Sequence, residues 1–201
     1  ISFQYRHKQK YYENPKERFY DFDLYQPRIT IELEQGFASP LEKYNYLKID
    51  LYWLQQFKLG AIGTSQLGGR AGRYLKKDRP SFADFTHFHG NQTIYRNTAF
   101  RSFQLLPYYQ KSTAEDYVVA HWEHDFYKWG LGSWPVFKQL QASLFVGGNS
   151  LFVSGDKPYF EAFVGIGNIG IKKIRFIYID YVRAFNDTFR KDGIRLGFEL
   201  F

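Results

Sequence analysis

The chain of 201 residues has no cysteine and no methionine. Without cysteine there is no disulfide, no thiol nucleophile and no thiolate metal site. Without methionine there is no initiator, and no charged segment followed by an apolar one opens the sequence. It therefore reads as a processed product or a piece cut from a longer protein. No run approaches the roughly 18 apolar residues of a spanning helix, which excludes helical insertion into a membrane. No window sustains a helical period. The net charge of +7 is scattered through strand-like and turn-like segments instead of forming a stripe. That distribution argues against a nucleic-acid partner and for solvated loops and a polar interior.

Aromatic residues are abundant at 21%, with 17 Tyr and 21 Phe, and amphipathic rings suit the headgroup level of a bilayer. The dominant period is two. In "RITIELEQ", Ile29, Ile31 and Leu33 alternate with Arg28, Thr30, Glu32 and Glu34. In "YLKIDLYWL", Leu47, Ile49, Leu51 and Trp53 alternate with Lys48, Asp50 and Tyr52. The segments "YVVAHWEHDF", "QLQASLFVGG" and "YFEAFVGIG" repeat the pattern, setting Val118, Ala120 and Trp122 against His121, Glu123 and Asp125, and Ala162 and Val164 against Glu161. The closing "GIRLGFELF" sets Ile194, Leu196, Phe198 and Leu200 against Arg195, Gly197 and Glu199.

With further segments near 1–9, 57–67, 92–106 and 174–184, about ten strands are expected. The fold class is all-β: a transmembrane antiparallel β-barrel, or the C-terminal part of a larger one, as a single domain over residues 1–201. A soluble sandwich or calycin-like barrel is the alternative. The second face speaks against the sandwich and leaves the calycin-like barrel open, because it carries full charges and glycines at mid-strand, which a wet lumen accommodates and a sandwich core does not. The polar residues expected to face that lumen are Glu32, Asp50, His121, Glu123, Asp125, Glu161, Asp180 and Arg195. Connections at Gly147–Asp156 and Asn186–Gly193 read as short turns, and those at Gln9–Gln26 and Gly68–Thr86 as long loops at the opposite end.

Chemistry-bearing motifs are sparse. His87 and His89 in "THFHGN" share a strand face, as do His121 and Glu123 in "HWEHDF", so His87, His89 and His121 are weak candidates for a metal. The competing reading is a hydrogen-bonded network in a hydrated interior, and no metal or cofactor is expected. "HWEH" lacks the zinc-protease spacing, and "LGGRAGR" lacks the Lys-Ser/Thr ending of a phosphate loop. No catalytic residue is assigned.

Three stretches together resemble a known family: "PRITIELEQGF" at Pro27–Phe37, "YNYLKIDLYWLQQFKLGAIGTSQLGGRAG" at Tyr44–Gly72, and "HFHGNQTIYRNTAFRSFQLLPYYQKSTAEDYVVAHWEHDF" at His87–Phe126. They resemble the C-terminal barrel of a Bacteroidota outer-membrane family of unknown function, whose members usually carry an N-terminal carboxypeptidase-regulatory-like sandwich. "IYIDYVRAF" followed by "GIRLGFELF" is similar to the last two strands of the BamA and TamA surface-antigen superfamily. The resemblance implies a loop folded into the lumen around His89, Gly90 and Asn91, with Arg96 an imperfect substitute for that loop's arginine. It also implies an assembly signal at Gly197, Phe198, Leu200 and Phe201.

The expected function is a non-enzymatic protein of the bacterial outer membrane, a subunit or accessory of an envelope complex in protein assembly or export. Its partners would be outer-membrane lipid and other proteins, not nucleic acid. An autonomous channel or transporter is the alternative, and a membrane-embedded enzyme centred on His87, His89, His121 and Glu123 is the third reading.

Overall fold

The computed structural model describes residues 1–7, 11–14, 17–20, 25–37, 45–78, 80–97, 100–126, 142–171, 174–186 and 190–198. Among them there is no α-helix, and the strands are β1 (Ser2–Arg6), β2 (Tyr11–Asn14), β3 (Glu17–Tyr20), β4 (Arg28–Gly36), β5 (Asn45–Lys58), β6 (Thr64–Asp78), β7 (Tyr117–Asp125), β8 (Ser143–Val153), β9 (Tyr159–Ile171), β10 (Ile174–Phe185) and β11 (Arg190–Phe198). Nine of them form one sheet in the order β1-β4-β5-β6-β7-β8-β9-β10-β11, and β2 and β3 pair as a separate two-stranded sheet. Every neighbouring pair in the large sheet is antiparallel.

The alternation seen in the sequence sets the two faces. On β5 Lys48 and Asp50 are buried while Leu51 is exposed; on β7 Tyr117, Val119 and His121 are buried while Val118 and Trp122 are exposed. On β9 Glu161 and Phe163 are buried and Val164 is 45% exposed; on β11 Arg195 is buried and Ile194 is 60% exposed. Charge points inward and hydrocarbon outward, the reverse of a water-soluble sheet.

What covers the inner face is the β6–β7 connection, described over residues 80–97 and 100–116. Its Phe103, Leu105 and Leu106 pack with Tyr117, Val119, Phe145, Leu151, Tyr159, Phe163, Val182 and Ala184 to form the main core. One residue of this loop shows that the sheet is curled. The Arg96 backbone N–H donates to the Leu196 carbonyl on β11, and its guanidinium lies 2.5 Å from Glu123 on β7. Four strand spacings would separate β7 from β11 by about 19 Å in a flat sheet, whereas an Arg and a Glu side chain together reach about 11 Å.

The sheet is not closed into a barrel: β1 and β11 are its two edges. Strand direction alternates across it, so the two edges run the same way and a direct seam between them would be parallel.

Several expectations need correction. Residues 57–67 are not a strand of their own; β5 ends there, Gly60–Ile62 form a single 3-10 turn, and β6 begins. Residues 92–106 belong to the inward loop, with one isolated bridge at Tyr95–Leu196. Gly68–Thr86 is not a loop, because β6 runs to Asp78, and Gly147–Val153 is strand, leaving only Ser154–Asp156 as the turn. Glycines misled the reading in both places. A side chain at Gly72 would meet the Tyr117 ring at 2.4 Å and one at Gly147 the Phe163 ring at 2.3 Å, so these glycines make room on the inner face and do not mark turns.

Arg190–Gly193 likewise belongs to β11. Gln9–Gln26 contains the β2–β3 pair. Loop length does not separate the two ends either, since residues 79–116 emerge at the same end as the short Ser154–Asp156 turn. Gln139, Leu140, Gln141, Glu199, Leu200 and Phe201 lie outside the described residues.

Candidate functional site

The distinctive structure is the inward loop and the charged groups that hold it. Glu161 is the centre of one anchor. Its carboxylate accepts hydrogen bonds from the backbone N–H groups of Gln104 (2.7 Å), Leu105 (2.7 Å) and Leu106 (3.1 Å), from Asn149 Nδ2 (2.9 Å) and from the Tyr159 hydroxyl (2.8 Å). Five donors on one buried anion offset its loss of water. Arg195 Nε completes the grip by donating to the Gln104 carbonyl at 2.8 Å.

The second anchor is Arg96. Its guanidinium pairs with Glu123 at 2.5 Å and approaches Asp180 at 3.4 Å, while its face lies 4.4 Å from the Phe145 ring centroid and 5.5 Å from that of Phe163. The carboxylates of Glu123 on β7 and Asp180 on β10 would repel each other across this space; a cation from the loop joins the two strands. A third cluster lies within the sheet. Asp50 receives Arg70 at 3.0 Å and the Tyr117 hydroxyl, with Lys48 at 3.6 Å.

The loop is also shaped from within. Asn91 Oδ1 accepts from the Thr93 backbone N–H and hydroxyl, and Asn91 Nδ2 donates to the Tyr95 carbonyl. The Asn91 N–H donates to Leu106 O, the Phe103 N–H to His89 O, and a side chain at Gly90 would meet Leu106 O at 2.3 Å. Ile94, Tyr95 and Arg96 then lie along β11, where Leu196 N–H donates to Ile94 O at 3.0 Å.

The eight lumen candidates all stand on the inner face. Asp50, His121, Glu161, Asp180 and Arg195 are buried, and Glu32, Glu123 and Asp125 are half-buried. The Ser143 hydroxyl donates to Asp125 at 3.4 Å. His89, Gly90, Asn91 and Arg96 all sit in the inward loop. Gly197 lies against Tyr178 and Arg96, Phe198 is exposed beside Tyr95, and Leu200 and Phe201 lie outside the described residues.

Sequence reasoning missed Gln104, Asn149, Tyr159, Lys48 and Arg70. Tyr159, Lys48 and Arg70 carry a signal, since they share the parity of residues that were identified. Gln104 carries none, because its loop has no period.

The histidines come together without forming a metal centre. His87, His89 and His121 line one cavity of about 500 Å³ with Tyr52, Arg70 and Phe100. His87 Nδ1 bonds to Ser112 Oγ at 2.8 Å. Asn149 gives its amide to Glu161, so its oxygen faces His121 Nδ1 at 2.8 Å and fixes the proton there. Among the described residues no group of three or more His, Cys, Asp or Glu is placed to hold a metal ion.

Fold and site together define a curled antiparallel sheet filled by its own loop. Residues 1–166 match the family described as a family of unknown function (DUF5686), C-terminal domain, and the chain belongs to that family. No curated protein and no solved structure matches the chain.

Proposed function

We propose that this chain is a β-barrel domain of a bacterial outer membrane, non-enzymatic, acting as a subunit or accessory of an envelope complex in protein assembly or export. The observation that carries the membrane reading is the outer face. Between Leu144 and Phe152 on β8 the outward positions span about 27 Å along the strand. At a tilt of about 40° this gives roughly 20 Å, near the height of an apolar belt.

On β8 and β9 the outward positions from Leu144 to Phe152 and from Phe160 to Ile166 carry no charge. Val118, Trp122, Phe152, Val164, Ile179 and Ile194 are exposed on the outer face, and Phe160 meets Phe152 edge-on and stacks on Phe185. The outward pair Arg73–Asp116 lies beyond the Val118–Phe152 pairing, and Arg183, two residues short of Phe185 on β10, is paired with its cross-strand partner Asp192. Exposed apolar surface on this scale has to be covered, and lipid covers the outer face of a curled sheet without a dedicated partner for each strand.

In a bilayer the edges must also be satisfied. All-antiparallel closure takes an odd number of further strands between β11 and β1, because these two run in the same direction. The resemblance to the Bacteroidota outer-membrane barrels and to the BamA and TamA superfamily belongs to the same proposal. The inward loop with Arg96 held by wall carboxylates supports it.

The accessory role, in preference to a channel, rests on the filled interior: Phe103, Leu105 and Leu106 are each 1% exposed against the inner wall. Native extraction of the tagged protein from outer membranes, followed by mass spectrometry, tests this reading. Stoichiometric recovery with other envelope proteins is expected. Recovery alone would overturn the subunit role, and recovery in the aqueous fraction would overturn the membrane reading.

A further inference from the structure

The cavity of about 500 Å³ that the three histidines line has a floor and a mouth of different chemistry. His121 forms the floor and is 4% exposed, whereas His89 and Arg101 stand exposed at the mouth. Between them Phe88, Phe100 and Phe103 supply apolar wall. The volume is in the range of small-ligand sites.

The floor holds an acceptor that the protein leaves unused. Asn149 Nδ2 donates to Glu161 at 2.9 Å and to the Ser102 carbonyl at 3.3 Å, which turns the Asn149 oxygen to His121 Nδ1 at 2.8 Å. Nδ1 therefore carries the proton and Nε2 a lone pair. Among the described residues nothing donates to Nε2, and Nε2 is not one of the side-chain atoms sealed from the surface without a partner. Its lone pair opens onto the cavity. The ring is held in that pose by Phe103 and Phe100, at 5.1 and 6.3 Å between centroids.

The mouth holds a cation that the protein leaves unpaired. Gly68 lies directly opposite His121 in the β6–β7 register. A side chain at Gly68 would meet the Phe100 ring at 2.8 Å and Arg101 Cγ at 3.3 Å, so the Arg101 stem passes close to the histidine. Among the described residues the Arg101 guanidinium forms no hydrogen bond or ion pair. Its backbone is left-handed at φ 79°, a costly conformation for a non-glycine residue and one that clusters at ligand-contacting positions. The other lining arginine, Arg70, is paired with Asp50 at 3.0 Å. No aspartate or glutamate is among the described lining residues, which leaves Arg101 as the charge an entering ligand meets.

We propose that this cavity binds a small hydroxyaryl carboxylate. The carboxylate pairs with Arg101 at the mouth, the ring lies among the phenylalanines, and the ring hydroxyl donates to His121 Nε2 at the floor. A carboxylate matches the planar fork of a guanidinium, and its single negative charge balances the single one of Arg101. A phosphate dianion would leave a negative charge uncompensated between aromatic walls. An acid without a donor at its far end would leave Nε2 unpaired once water is displaced. The inference goes beyond the proposed function and does not rest on it, because the cavity lies inside the curled sheet whatever covers the outside.

Isothermal titration of the purified protein in detergent tests it with three acids of increasing length: 4-hydroxybenzoate, 4-hydroxyphenylacetate and 4-hydroxycinnamate. The controls are the same acids without the ring hydroxyl, and phenol. At least one hydroxy acid should bind saturably and one-to-one, roughly tenfold or more tighter than phenol and than its own control. Arg101→Gly removes the guanidinium and relieves the left-handed backbone. It should lose roughly tenfold or more in affinity for the acid, with no drop in melting temperature and no change toward phenol. His121→Gln should bind the hydroxy acid and its control alike. Arg101→Gly belongs to neither anchor, so it decides the outcome even where His121→Gln lowers the melting temperature. Absence of saturable binding by all three acids, undiminished affinity in Arg101→Gly, or controls that bind as tightly as the hydroxy acids overturns the proposal.

Discussion

Glu161 concentrates more of the loop's attachment than any other side chain in the described structure, because one carboxylate serves three consecutive backbone N–H groups and two side-chain donors. Removing it strands several buried donors at once, each worth about 1–3 kcal/mol when left unpaired. Glu161→Ala should therefore destabilise the protein by roughly 3 kcal/mol or more, read as a shifted denaturant midpoint in detergent, and should expose residues 100–106 to protease. Glu161→Gln keeps one acceptor oxygen and should fall between Ala and wild type.

At the surface the scale of effects is smaller. The Asp156 carboxyl in the β8–β9 turn is held below the ordinary carboxylate range, chiefly by the hydrogen bond from Lys111 Nζ at 2.7 Å. Its contribution is present above the unfolded value near 3.9 and is lost as pH falls through the lower folded value. Asp156→Asn should lose about 0.5 kcal/mol at neutral pH. The variant and wild type should converge in stability on acidification, which denaturation midpoints across pH 2–6 would show.

Strands were legible to the extent that their two faces differ in chemistry. In β4, β5, β7 and β9 every second residue changes class, and the sequence pattern alone places Asp50, His121 and Glu161 on one face. In β6 the same alternation is disguised by Gly68, Gly69 and Gly72, since a glycine that yields space to a ring looks the same in sequence as one that makes a turn. The inward loop was not legible as an element. Its residues 92–106 are apolar enough to read as strand, but Ser102–Leu106 are buried against the concave wall, and nothing local records that wall.

Its docking on β11 is open to a direct check because the chain has no thiols of its own. Tyr95 and Leu196 are bridge partners, close enough for a disulfide. Paired substitutions Tyr95→Cys and Leu196→Cys should cross-link on mild oxidation and shift mobility on a non-reducing gel. A pair at Tyr95→Cys and Val164→Cys should not.

Taken whole, the molecule inverts the usual arrangement of a folded domain. Apolar side chains cover the outside of a curled sheet, and charges are collected inside around a loop whose Phe103, Leu105 and Leu106 belong to the larger of the two buried clusters among the described residues. A filled interior predicts that the protein reconstituted in planar bilayers shows no steady conductance. Arg96→Ala, which leaves Glu123 and Asp180 without the loop cation, should produce intermittent openings.

The most direct test of the membrane reading is a single charge on the outer face. Val164 is nearly half exposed and makes none of the contacts that hold the loop. Val164→Lys would be measured by reversible unfolding of the protein refolded in lipid vesicles. If this face meets lipid, the substitution costs about 2–4 kcal/mol. A change within about 0.5 kcal/mol, the usual effect of a surface substitution in water, would contradict the account.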